Sequence, residues 1–265
     1  MIKTKVGYKQ LEKLEIAKMR SWFALVSKRF PHQNMLTVAI DDGHVFISPQ
    51  FKDDIFFNRS HLLIEKEQIL NALELYPAHV KYYIDTPAAL KGSKINELKK
   101  YLLHEGSYST LSLSIEDIYI LNKDNNLYFE KLTTKQWQKL KSYFMADANE
   151  EFNNRLSYLE ALLDDKSWHF FLAYKNNEIA GLAGYFEHKG LAAFCTSYVL
   201  NKYRYKGVHL GLIGHRLEHI VNNTSIEHII AQAYEQSKSL NNLKKFKFET
   251  VFHSDYWTIK DCSIF

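Results

Sequence analysis

Ser197-Tyr198-Val199-Leu200-Asn201-Lys202-Tyr203-Arg204-Tyr205-Lys206-Gly207-Val208-His209-Leu210-Gly211-Leu212-Ile213 passes from a strand-like run, through a basic turn holding one glycine, into a helical pattern. The first N–H groups of a helix have no partner inside it, and its dipole places partial positive charge there. A strand, a glycine turn and a helix in that order can hold an anionic group by main chain alone. Gly207 lets the backbone approach, and Arg204 and Lys206, with Lys202 nearby, add long-range attraction. The plainer reading is a basic loop that opens an ordinary amphipathic helix, so the context decides.

The chain of 265 residues is 46% hydrophobic and has only four prolines, which implies an ordered globular protein of one large domain or two small ones. Its 34 basic and 30 acidic residues leave a small excess, spread along the sequence. That balance does not point to nucleic acid and suits an anionic small ligand equally well. Two cysteines, Cys195 and Cys262, are too few and too far apart for a zinc cluster or a disulfide scaffold, so no metal is expected and a reducing, cytoplasmic home fits. No window approaches a membrane span, and the start lacks the apolar core of a signal peptide.

Upstream, Tyr8 to Arg29 has helical spacing, while 35–40 and 44–47 read as strands joined through Asp41-Asp42-Gly43. A helix at 65–75, a strand at 80–85 and a helix at 95–104 ended by Gly106 complete a mixed first half. The polar cluster Asn122 to Asn126 marks a boundary between domains at 1–122 and 127–265. Beyond it the pattern predicts a strand at 127–132, helices at 136–146 and 152–163, and strands at 168–174, 178–186 and 192–200. After the turn come a helix at 210–221, a strand at 228–235, a short helix at 240–246 and a strand at 249–257 that closes the sheet.

That order resembles the GNAT superfamily of N-acetyltransferases. The family signature is Arg or Gln, two residues, Gly, one residue, then Gly or Ala; Arg204 and Gly207 match it, and His209 stands where the family keeps a small residue. The resemblance implies an α+β fold with a mixed sheet that binds acetyl-coenzyme A and transfers its acetyl group to an amine, here a small molecule, by direct attack in a ternary complex. It implies cofactor contacts from Ser197, Tyr198 and Val199 on the preceding strand and from Arg204, Tyr205, Lys206, Gly207, Val208 and His209 in the turn. The family's closing Tyr, the acid for the thiolate, falls on Leu243, and its Gly-Phe on Lys247-Phe248. Tyr234, Glu235 and Ser239 lie near the expected reacting centre, with Glu187 as another base. Residues 98–106 resemble a closing helix and Gly step, so the first half reads either as a degenerate GNAT-like unit in tandem or as an unrelated α+β extension. A noncatalytic acyl-coenzyme-A-binding or protein-interaction module of the same fold is the alternative function.

Other features have plainer readings. His215-Arg216-Leu217-Glu218-His219 fits the H-x-x-E-H zinc spacing, but without a third ligand these read as solvated helix residues. Cys195 reads as a small buried side chain, and Tyr82, Tyr83, Phe194 and Tyr198 as core or pocket lining.

Overall fold

A computed structural model describes residues 6–63, 65–87, 101–119, 126–223 and 225–259. The chain forms two compact units: Met1–Thr110 with Thr250–Phe265, and Leu111–Glu249. This partition differs from a boundary at 122–127, because the last strand belongs with the first unit.

The first unit opens with helix α1 (Tyr8–Arg29). Its stripe of Leu11, Leu14, Met19, Trp22 and Val26 is buried, each side chain contributing about 2 kcal/mol. Strands β1 (Leu36–Ile40) and β2 (Gly43–Ile47) form the expected hairpin, with Asp41 in the left-handed region that its short polar side chain tolerates. Strand β3 (Arg59–His61) pairs antiparallel with β2; helix α2 (Lys66–Leu75) follows, opened by a reciprocal cap between Glu65 and Gln68. Strand β4 (Tyr83–Pro87) then returns parallel to β3. Val45, Ile47, Ile69, Ala72 and Ile84 join the core beneath α2.

Residues 95–100 of the expected helix lie outside the described residues. Leu102 to His104, however, are strand, not helix: β5 runs over Leu102–Ser114. Gly106 is accordingly no helix cap. It makes room for Tyr256, whose hydroxyl end a Cβ there would strike. The polar cluster at 122–126 lies outside the described residues apart from Asn126, which is a turn.

In the second unit, β6 (Leu127–Lys131), β7 (Trp168–Lys175), β8 (Glu178–His188) and β9 (Leu191–Val199) form an antiparallel meander. Its two tight turns, Asn176-Asn177 and Lys189-Gly190, have positive φ at both residues, the twist-matched geometry for a two-residue hairpin. Helix α3 (Thr134–Asp147) starts at Thr133, whose side chain accepts from Gln136 N–H. The next expected helix is two, α4 (Glu150–Ser157) and α5 (Leu159–Leu162), broken at Tyr158. Helix α6 (Val208–Asn223) crosses over to β10 (His228–Tyr234), which is parallel to β9; α7 (Lys238–Lys245) follows. Ile213, Leu217, Ile220, Ile229, Leu243 and Phe246 are part of this unit's core.

The final strand, β11 (Glu249–Ile259), does not close the sheet of the second unit as expected. It pairs antiparallel with β4, Trp257 opposite Ile84. Both units share one plan, an antiparallel run, a helix, and a strand parallel to the last: β2-β3, α2, β4 in one and β8-β9, α6, β10 in the other. No helix among the described residues is long and apolar enough to cross a membrane.

One packing restraint is testable at once. A Cβ on Gly184 would press into the buried Phe170 ring and lie 2.8 Å from the His169 carbonyl oxygen. Gly184→Ala is expected to lower stability by about 1–3 kcal/mol, read from urea unfolding.

Candidate functional site

The parallel ladder between β9 and β10 is short. It joins His228 to Leu191, Ile229 to Ala192 and Ile230 to Ala193; beyond Ala193 the register with β10 ends while β9 continues along β8 to Val199. Just past that point β9 bulges. Ala183 faces Ser197 and Gly184 faces Cys195, so Thr196 is skipped, at a φ of 32°. A β-branched residue avoids that region, and such strain gathers at functional sites. The Thr196 and Ser197 hydroxyls are buried with no hydrogen-bond partner, the condition of groups that await one.

From Val199 the chain turns through Asn201–Tyr203, closed by Tyr203 N–H donating to Leu200 O (2.8 Å) and Arg204 N–H to Asn201 O (3.2 Å). Tyr205 and Gly207 are both left-handed, at φ 63° and 81°. Gly207 O then accepts the Gly211 N–H (3.0 Å), the first α-helical bond of α6. The N–H groups of Val208, His209 and Leu210 therefore stand at the helix start, where no carbonyl of α6 reaches them. The first turn of α6 carries no acidic residue to offset its dipole.

Side chains in the turn differ in their engagements, and Arg204 Nε donates to Val199 O at 3.4 Å. Arg204, Tyr205 and Lys206 are exposed, Tyr205 at 89%. Arg204 lies near the Tyr198 ring, and Lys206 near that of Tyr203. Lys202 meets Glu178 at 2.6 Å in an exposed ion pair. Tyr198 donates to both Asp147 O (2.7 Å) and Asp147 Oδ2 (2.8 Å), so its side chain ties β9 to the end of α3. Its remaining resource for a ligand is main chain.

No protein-family model and no curated protein matches the sequence. Solved structures do match. A GCN5-related N-acetyltransferase from Kribbella flavida superposes with a TM-score of 0.68 at 8% identity, over 97% of each chain. A functionally unknown conserved protein from Staphylococcus epidermidis gives 0.63 at 9% identity, over 89% of this chain and 97% of that one. A tandem GNAT protein from the clavulanic acid biosynthesis pathway gives 0.61 at 10% identity, over 82% of this chain and 77% of that one. The fold is that of the GCN5-related N-acetyltransferases.

Within the GNAT fold the departures at His209, Leu243 and Lys247 have local explanations. The His209 ring is partly buried and turned toward α7, where the Asn242 amide lies 2.9 Å from its Nδ1. Burial, with Arg216 adding, pushes the His209 pKa down to about 4, so the ring is neutral and accepts the amide N–H at Nδ1. It brings no charge to the turn. Leu243 is 3% exposed and packs as an apolar side chain in the core. Lys247 holds a φ of 63°, the conformation a glycine adopts without cost.

Tyr234 ends β10, Glu235 follows it in the turn, and Ser239 lies in the first turn of α7, so these three candidates gather at one corner of the second unit. Ser237 caps that helix, accepting the Leu240 N–H at 3.1 Å. Glu187 instead lies 3.5 Å from His169 Nε2.

The histidines of α6 are partly buried against aromatic neighbours. His215 stacks on Phe129 and meets Phe171 edge-on, and His219 Nδ1 is 2.9 Å from the Tyr185 hydroxyl. Among the described residues no group of three His, Cys, Asp or Glu side chains could hold a metal. Cys195 is buried, as its strand position suggested. Tyr82 and Tyr83 line no pocket in this unit: they belong to the first one, donating to Ser60 Oγ and Asp53 O, each at 2.9 Å.

Arg216 carries a role the sequence reading missed. It is 2% exposed; its Nε donates to Leu212 O (3.1 Å) and Nη1 to Gly184 O (3.0 Å), and the guanidinium lies 3.8 Å from the Phe194 ring centroid. Burial pushes its pKa down to about 9. The signal was present: Arg216 sits among Leu212, Ile213, Leu217 and Ile220, a charge inside the apolar stripe of a helix.

Proposed function

We propose that the second unit binds acetyl-coenzyme A and transfers the acetyl group to the amine of a small molecule. The supporting observation is one coincidence: β9 leaves its partner β10 at the strained bulge of Thr196, and six residues beyond Val199 the chain enters a left-handed glycine turn at an unneutralised helix start. The N–H groups of residues 208–210 suit a pyrophosphate, with Arg204 and Lys206 adding field. The orphan hydroxyls of Thr196 and Ser197 and the free strand edge suit the amides of an extended arm.

When bound, the thioester supplies the electrophilic carbonyl. An uncharged amine would add to that carbonyl, the C–S bond would break as the adduct collapses, and one proton would pass from nitrogen to the departing sulfur. Main-chain N–H groups at the bulge hold the oxyanion. Glu235, Tyr234 or Ser239, at the corner of β10 and α7, takes the proton directly or through water. Leu243 supplies no acid, which is the observation that favours a noncatalytic acyl-coenzyme A binder as the second reading. The cysteine content and the absence of a membrane-crossing helix among the described residues support a cytoplasmic setting.

Titration with acetyl-coenzyme A is expected to raise the melting temperature and change tryptophan fluorescence, and Gly207→Trp is expected to weaken binding more than tenfold with an unchanged circular dichroism spectrum. Equal binding by both proteins removes the turn from the site. Release of free thiol with a panel of small amines then separates the enzyme from the binder.

A further inference from the structure

The bulge gives β9 one more residue than β8, since Gly184 faces Cys195 and Ala183 faces Ser197. The extra residue of a bulge is left out of the ladder, and the ladder alone does not fix which residue that is. If Cys195 were skipped instead, Gly184 would face Thr196 and draw its main chain back toward β8. That shift would also relieve the φ of 32° at Thr196, which a β-branched residue avoids. Strain of this kind persists only where the surroundings hold it.

Arg216, on α6, meets the bulge at the carbonyl in question. Its Nη1 donates to Gly184 O at 3.0 Å, while its Nε is held by Leu212 O at 3.1 Å. The guanidinium lies 3.8 Å from the centroid of the Phe194 ring, and Phe194 is the first residue of β9 past the ladder with β10. Phe194 packs in turn on Phe248, with 5.7 Å between ring centroids. Two carbonyls and a ring therefore grip one guanidinium directly beside the skipped residue.

A donor on Gly184 O competes with the N–H groups of β9 for that oxygen. With the guanidinium there, the carbonyl has less to gain by taking the Thr196 N–H into the ladder. The ring contact fixes Phe194, and with it the approach to Thr196 two residues on. Stability alone does not account for such a residue, because a buried cation without a carboxylate to pair with is costly to keep.

We propose that Arg216 is a positioning residue for acetyl transfer: by occupying Gly184 O it keeps the bulge at Thr196, and so leaves a main-chain N–H of β9 to the thioester oxygen. The inference rests on the coenzyme A reading of the second unit and adds to it the group that maintains the oxyanion site. Arg216 acts through the backbone rather than on the cofactor.

The test uses the full chain and acetyl-coenzyme A isotopically labelled at the thioester carbonyl, and it needs no acceptor amine. Calorimetry with coenzyme A reads the hold on the phosphates and the arm. Isotope-edited infrared spectra of the bound acetyl compound read the hydrogen bond to its carbonyl, which lowers the stretching frequency. The unsubstituted protein should lower that frequency relative to free acetyl-coenzyme A. Arg216→Met and Arg216→Leu, which both remove the donor, should bind coenzyme A with unchanged affinity while the band moves back toward its free position. Arg216→Lys, which keeps a donor for Gly184 O, should restore most of the lowering. A band that stays lowered in a correctly folded Met or Leu variant would overturn the proposal. So would loss of coenzyme A binding in these variants, which assigns Arg216 to the cofactor site as a whole, or failure of both to fold, which makes it a structural requirement. If the unsubstituted protein binds no coenzyme A, the reading of the second unit fails and takes this inference with it; if it binds without lowering the band, this inference alone fails.

Discussion

Unfolding free energy is expected to pass through a maximum near pH 6.5, falling by about 2–3 kcal/mol toward pH 4 and by about 1 kcal/mol toward pH 8. The acid limb comes from His61 and His209, both pushed by burial from 6.5 to about 4. Between those values the unfolded chain binds the proton and the native one does not, so stability drops as pH falls. The alkaline limb has the opposite origin. Burial lifts Glu12 from 4.5 to about 8, with Glu15 adding and Arg59 and Lys18 opposing. Over that span the native state keeps a proton that the unfolded carboxyl has lost, so stability drops as pH rises. One such group changes the free energy by about 1.4 kcal/mol per pH unit where it is fully engaged. His169 is likewise pushed down to about 4, but it is half-buried and adds less. Urea titrations at half-unit pH intervals measure the curve. Glu12→Gln should abolish the alkaline decline and deepen the acid limb, because Glu12 no longer offsets the two histidines there; an alkaline decline that survives in this variant assigns it to another group.

Replacing Arg216 by methionine should stabilise the protein, by about 1–4 kcal/mol at pH 7. Arg216 is a full charge in the core of the second unit, and among the described residues no carboxylate pairs with it. Two backbone carbonyls and the Phe194 ring share the cation, but burial still disfavours its charged form, as the fall in its pKa to about 9 records. Methionine matches the unbranched stem and asks for no partner. It leaves Gly184 O without the arginine donor, which sets the lower end of the range. Equilibrium unfolding of both proteins decides the sign. A less stable Arg216→Met would mean that the two carbonyl bonds and the ring contact outweigh desolvation. A stabler variant with impaired coenzyme A binding would mark Arg216 as a group held against stability for function.

The parts of the fold legible in sequence are those fixed by neighbours along the chain. The Thr133 cap, the Asn176-Asn177 turn and the step from β9 through Gly207 into α6 each depend on a few adjacent residues, and each lies where its local chemistry puts it. Features set by distant partners were not legible. Leu98, Leu102 and Leu103 have helical spacing, yet Leu102–Ser114 is a strand because Tyr108, Leu111 and Leu113 are buried by elements far off in sequence. Strand β3, of three residues, is too short for any period to register. In sequence His209 showed only as a side chain where the family keeps a small residue; the amide that occupies its ring is 33 residues away, on another helix. A cluster of buried charges in the first unit, with Glu12 3.0 Å from His61 and Arg59 3.5 Å from Asp85, was hidden for the same reason, since Glu12, Arg59 and Asp85 are far apart in the chain and each looks like a surface residue by itself.

The placement of β11 has a consequence for biosynthesis. The second unit is one uninterrupted segment, but the first unit has its β4 edge open until β11 is made. During translation β4 must stay unpaired on the side that β11 later covers, an exposed template for wrong partners. A released chain truncated just after Glu249 should therefore resist protease over the second unit while its first unit remains cleavable, although that part was synthesised earlier.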